Sequence, residues 1–127
     1  MKKSDDLPIF RDSYALLQRL MHIQKEIPRM FRYSIGEKMI NLNLEMIDQI
    51  YKANGNYTKT PYIDRLTDCN NMLKMLTRLC RDEKYLSLQQ FTLVVELLVK
   101  IGRQASGWKK YATDEIKKKD GRTISVQ

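Results

Sequence analysis

Four stretches of this sequence place apolar residues three and four positions apart, and almost no proline or glycine falls inside them. That spacing keeps to one side of a turn of about 3.6 residues, so it favours amphipathic helices over strands, whose period is about two. The first stretch, Asp12 to Ile27, carries Tyr14, Leu17 and Met21 on one line and Leu16, Leu20, Ile23 and Ile27 beside it. Asp12 or Ser13 is the expected N-cap, and Pro28 the stop, because the residue before a proline avoids the α region. The second opens at Ser34-Ile-Gly-Glu37, which has the form of a capping box. Ile35, Met39, Leu42, Met46 and Ile50 form one stripe there, Ile40, Leu44, Ile47 and Tyr51 another, and Asn54-Gly55 is the expected exit.

The third stretch starts near Pro61, a good first-turn residue. It continues through Ile63, Leu66, Cys69, Leu73, Leu76 and Cys80 and ends between Asp82 and Tyr85. The fourth opens on a second capping box, Ser87-Leu-Gln-Gln90, and carries Phe91, Val94, Val95, Leu98, Ile101, Ala105 and Trp108. Gly102 interrupts it at about 1 kcal/mol against Ala, which a close helix–helix approach would explain. Gly107 either ends this helix or thins it. Beyond Ala112 the chain is charged and reads as a frayed, solvated tail. Short links place neighbouring helices antiparallel. The expectation is an all-α, up-down-up-down four-helix bundle over residues 1–112 and a flexible charged tail over 113–127.

At 127 residues the chain reads as a single domain, long enough to bury a core without staples. Cys69 and Cys80 are eleven positions apart on one helix. That puts them about 16 Å apart along the axis, beyond the reach of a disulfide, so both are expected as buried free thiols. No apolar run is long enough to span a membrane. The opening MKKSDDLPIF lacks the apolar segment of a signal peptide, and the protein is expected in the cytoplasm. Helix two, with its paired stripes, has more apolar surface than one bundle core uses, which points to a homo-oligomer.

Enzyme chemistry has little to rest on. His22 is the one histidine, and no partner stands at metal-ligand or triad spacing from it. No phosphate-loop, dinucleotide or metalloprotease motif is present, and no paired carboxylates stand out, so no enzyme activity and no cofactor are expected. The charge is more informative. The formal net charge is +8, with 23 Lys and Arg against 15 Asp and Glu, which suits a polyanionic partner such as RNA or DNA. Lys100, Arg103, Lys109 and Lys110 surround Trp108 with no acid among them, and Lys117, Lys118, Lys119 and Arg122 follow. Lys25, Arg29 and Arg32 form a second group. Lys74, Arg78 and Arg81, spaced four and three, share a face of helix three. In an antiparallel bundle Arg29, Arg32, Arg81 and Lys84 meet at one end, and Lys59, Lys109 and Lys110 at the other. Trp108 reads as a core or interface anchor before it reads as a base-stacking platform.

Three segments carry a family resemblance: Ile27-Pro-Arg-Met-Phe-Arg-Tyr-Ser-Ile-Gly-Glu-Lys38, Leu76-Thr-Arg-Leu-Cys-Arg-Asp-Glu-Lys-Tyr-Leu-Ser-Leu-Gln-Gln-Phe91, and Ile101-Gly-Arg-Gln-Ala-Ser-Gly-Trp-Lys-Lys110. Together they resemble the accessory variability determinant, Avd, of diversity-generating retroelements, the Ile-Gly-Arg…Gly-Trp-x-Lys ending most specifically. The resemblance implies a four-helix bundle assembled as a pentameric barrel with a positive surface. It implies association with the element's reverse transcriptase and with nucleic acid, the template RNA above all, whose error-prone copying diversifies a target gene. It also implies an accessory role rather than the polymerase. On the matched segments it makes Arg29, Arg32, Arg78, Arg103 and Lys109 binding candidates, to which the charge clusters add Lys74, Arg81 and Lys110. The family's ending has Leu where this chain has Lys109, which adds a charge. The four-helix protein encoded in intervening sequences of bacterial 23S ribosomal RNA genes is similar in fold but lacks the Gly-Trp ending. It stands for the alternative, a structural module that binds an acidic protein face.

Overall fold

The computed structural model describes residues 3–126, with side chains for residues 3–119. Among them every regular element is helical and there is no strand. A tight turn at Ser4–Asp6 leads into α1, Pro8–Gln24. α2 spans residues 29–55 in three parts: an α-turn Arg29–Phe31, a π-helical turn Arg32–Gly36 and the regular segment Glu37–Gly55. α3 is Thr60–Asp82 and α4 is Leu88–Val126. Each helix packs on its neighbours in sequence and α4 closes on α1, so the expected up-down-up-down bundle surrounds one core.

The stripes read from the sequence supply that core. Leu16, Leu20 and Ile23 of α1 meet Met39, Met46 and Ile50 of α2, Ile63, Leu66 and Leu73 of α3, and Leu98 and Ile101 of α4, all sealed from solvent. Cys69 and Cys80 are buried free thiols, and the Cys80 Sγ lies 3.8 Å from the Met39 Sδ. Between α2 and α3, Arg65 grips Glu45 with two parallel hydrogen bonds of 2.6 and 2.9 Å. The guanidinium holds the Glu45 carboxyl below the ordinary range.

Two buried amides cross the helix pairs. Asn43 Nδ2 donates to the Ser13 carbonyl of α1 at 3.0 Å, and Asn70 Nδ2 donates to the Leu98 carbonyl of α4 at 2.9 Å. Each bond links two specific turns, so sliding either pair by a turn would strand a buried donor.

Several boundaries differ from those read in the sequence. α1 begins at Pro8, which sits in its first turn as Pro61 does in α3. Ser13 is therefore buried inside the helix and is not its cap. Ser34 does not cap α2. Pro28 lies outside the helical region, and its carbonyl accepts from Phe31 and Arg32 N–H at 2.8 and 3.0 Å, so it takes the place of Ser34 as N-cap and the helix starts six residues earlier. The Ser34 hydroxyl instead donates to the Phe31 carbonyl. The wide turn that follows seats Gly36 against α1: a Cβ there would stand 3.0 Å from Gln24 Cγ and 3.3 Å from Ile27 Cδ1. The second capping box does form. Gln90 N donates to the Ser87 hydroxyl and Ser87 N to Gln90 Oε1, both at 3.1 Å. α4 stops at neither Gly107 nor Ala112 but is helical to Val126. No proline follows Gly107, and pairs such as Glu115 and Lys118, 3.9 Å apart, suit a continuing helix.

α3 leaves through Lys84, whose φ is 65°. Tyr85 N–H reaches the Cys80 carbonyl at 2.8 Å and Lys84 N–H the Arg81 carbonyl at 3.0 Å, the paired bonds of a Schellman motif with lysine where glycine is usual. Lys84→Gly should therefore stabilise the fold by about 0.5–1 kcal/mol. Gly36→Val, which forces a branched side chain against Gln24 and Ile27, should destabilise it by about 1–3 kcal/mol. Urea unfolding followed by circular dichroism reads both, and a shift in the same direction for the two would refute the distinction.

Candidate nucleic-acid interface

The basic residues singled out in the sequence divide by what their side chains touch. Arg32 Nη2 donates to the Lys25 carbonyl at 2.8 Å and its Nε to the Ile27 carbonyl at 3.3 Å, closing the C-terminus of α1. Arg81 Nη1 donates to the Leu86 carbonyl at 3.2 Å across the α3–α4 turn. Lys59 is held likewise, donating to the Ala53 and Asn56 carbonyls at 2.7 Å each, and burial lowers its pKa. These cations tie the bundle's turns. Arg29 is exposed at the same end as Arg32 and Arg81, where Phe31 stacks on Tyr85 with ring centres 6.0 Å apart. A broad cleft there holds Arg81 and Lys84 but also Glu26 and Asp82, so its field is mixed.

A second group lies along the seam of α3 and α4. A cleft of about 380 Å³ is lined by Thr67, Asn71 and Lys74 from α3 and by Val99, Gly102, Arg103 and Ser106 from α4. The register set by Asn70 and Leu98 explains the meeting. Lys74 tilts toward the N-terminus of its own helix, as helical side chains do, and its ammonium comes to rest beside Gly102. Arg78 is one turn from Lys74 on α3, largely exposed, with its Nε 3.8 Å from Asp82. Lys110 lies seven residues beyond Arg103, on the same face of α4. Lys109 turns toward α3 and pairs with Asp64 at 2.7 Å, both groups about half exposed.

The structure thus gathers Lys74 and Arg103 in one cleft and sets Arg78 and Lys110 along the same seam. It does not bring Arg29, Arg32 or Arg81 to them. Sequence reasoning misses Thr67, Asn71 and Ser106, whose signal is the small polar residues at helical spacing beside the basic ones. It also misses the alignment of Lys117 with Arg103 and Lys110, each seven apart, because it ends the helix at Ala112.

An apolar strip runs along the other side of the bundle. Tyr14 and Met21 of α1 are 50% and 54% exposed, and Leu44 and Tyr51 of α2 are each 46% exposed. With Leu17 and Ile40, Tyr14, Met21 and Leu44 line a groove between the two helices. This is the second stripe of helix two, left uncovered by its own bundle.

Groups that could carry reaction chemistry are few. Burial pushes the Cys69 thiol up to about 11 and raises that of Cys80. His22 is exposed, and among the described residues no cluster of three or more His, Cys, Asp or Glu could hold a metal. Among them, too, no helix is long and apolar enough to cross a membrane. The fold defines a four-helix bundle protein. A family model described as bAvd-like matches residues 9–112, most of the chain, and the protein belongs to that family, an accessory and non-catalytic kind of protein. No curated protein and no solved structure gives a significant match.

The thiols give a direct test of the core. At about pH 8, where an accessible cysteine reacts readily, Cys69 and Cys80 should resist Ellman's reagent in the native protein and both react in denaturant. Fast reaction of either in the native state would contradict the packing of α3.

Proposed function

We propose that this chain is the non-enzymatic accessory of a diversity-generating retroelement. It works in the cytoplasm, where it binds nucleic acid, the template RNA or its cDNA, along the α3–α4 seam. It binds the element's reverse transcriptase and supports mutagenic retrohoming. The observation that carries this reading is the convergence of Lys74 and Arg103 in one acid-free cleft, with Arg78 and Lys110 on the same seam. A phosphate backbone needs spread positive charge rather than a fixed motif, and that is what this seam offers. Membership of the bAvd-like family supports the accessory role. The working unit in this reading is a homo-oligomer, a closed ring of five, in which the strip of Tyr14, Met21, Leu44 and Tyr51 is buried between copies.

Binding to single-stranded RNA should weaken steeply with salt, and the double variant Arg103→Glu/Lys110→Glu should lose at least about tenfold in affinity at unchanged helicity. Its salt slope should fall by about 0.7 for each phosphate that is no longer neutralised. Unchanged affinity would dismiss the seam as the interface. A chain that ignores RNA and DNA yet still captures the reverse transcriptase after nuclease treatment would favour the purely structural module. For the assembly, Met21→Glu/Leu44→Arg should convert the oligomer to a folded monomer in light scattering. An oligomer of undiminished mass would move the interface between copies elsewhere.

A further inference from the structure

We propose that the cleft over Gly102 is a seat for one phosphodiester of a nucleic-acid strand, clamped by Lys74 from α3 and Arg103 from α4. This rests on the nucleic-acid reading above and assigns it a specific contact. The argument begins with the glycine. In the middle of a helix a glycine is less favourable than an alanine, so its presence calls for a reason. Packing does not supply one: a Cβ at Gly102 would meet the Asn70 amide at 3.5 Å and the Lys74 ammonium at 3.8 Å, both ordinary contacts. What the missing side chain does is open the floor of the cleft. A methyl there would occupy space directly against the Lys74 ammonium.

The walls suit a phosphate. Thr67 and Ser106 bring hydroxyl donors and Asn71 an amide, while Lys74 and Arg103 bring the charge. Among the described residues neither cation is held in an ion pair, so both are available to a ligand. No carboxylate lines the cleft. In contrast, the cleft at the bundle end contains Glu26 and Asp82, and the one between α1 and α4 contains Glu96. The volume, about 380 Å³, admits a phosphate and part of its sugar. The floor is rigid, because Asn70 beneath it is buried and bonded to the Leu98 carbonyl.

The test separates stability from binding. Gly102→Ala and Gly107→Ala both fill helical glycines, and nothing lies within 4 Å of a Cβ at Gly107. Both should raise the melting temperature. With a short fluorescein-labelled single-stranded RNA, and the same sequence as DNA, Gly102→Ala should lose about five- to tenfold in affinity and Gly107→Ala nothing beyond about twofold. A matched-charge pair guards against a Gly102 variant that folds poorly: Lys74→Gln should weaken binding about fivefold, and Lys38→Gln, on the outside of α2, by less than about twofold. Polyglutamate at equal charge should displace the RNA poorly. Wild-type affinity of a folded Gly102→Ala, equal losses for the two lysine variants, or efficient displacement by polyglutamate would each overturn the seat. If any of these occurs while Arg103→Glu/Lys110→Glu still abolishes binding, the broader reading stands without the seat. If the charge reversal is silent as well, both fall.

Discussion

The bond from the Asn70 amide to the Leu98 carbonyl, 2.9 Å long and sealed from water, sets what the α3–α4 half of the molecule can present. Apolar stripes tolerate sliding, since one leucine replaces another a turn away. A buried amide does not, because a missing partner costs about 1–3 kcal/mol. Asn43 plays the same part between α1 and α2 through the Ser13 carbonyl. Both amides accept a penalty for this, as Asn43 Oδ1 and Asn70 Oδ1 are buried without a partner. The fixed register is what delivers Lys74 of one helix to Gly102 of the next.

Much of this is legible from residue spacing alone, and the exceptions have physical causes. The core stripes, the Ser87 capping box and the buried thiols follow from local rules that tertiary packing does not overturn. The start of α2 is misleading because Ser34 and Glu37 fit a cap in isolation, while Pro28 upstream fits a helix start better. The start of α1 misleads in the same way: Asp12 and Ser13 are good caps, and they distract from Pro8 as a first-turn residue. The exit of α3 through Lys84 cannot be read, since a lysine in the left-handed region has no signature. The two buried asparagines are equally silent. In a helix an asparagine looks like solvent-facing filler until its neighbour's carbonyl is known.

The charge count is a poor guide to which cations stand free on the surface. Arg32, Arg81 and Lys59 donate to backbone carbonyls at turns, where a cation also complements the negative end of a helix. Lys109 shares its charge with Asp64. Without these, the positive seam is narrower than the sequence implies, and it is centred where two helices meet rather than along a single one. Residues four apart on one helix are visible in a sequence. Residues facing each other across two helices are not.

The π-helical turn Arg32–Gly36 has a bearing on how this bundle can vary. Such a turn holds about one residue more than an α-helical turn, and each residue of an α-helix advances it by about 100°. The turn therefore acts as a phase adjuster between two stretches that answer to different neighbours. Below it, Glu37–Gly55 keeps its stripe on the common core. Above it, Arg29–Phe31 is free to set Phe31 against Tyr85 with Arg29 and Met30 outward. A related chain could lose or gain one residue here, rotate its end cap and present a different tip, while the shaft of the bundle kept its packing intact.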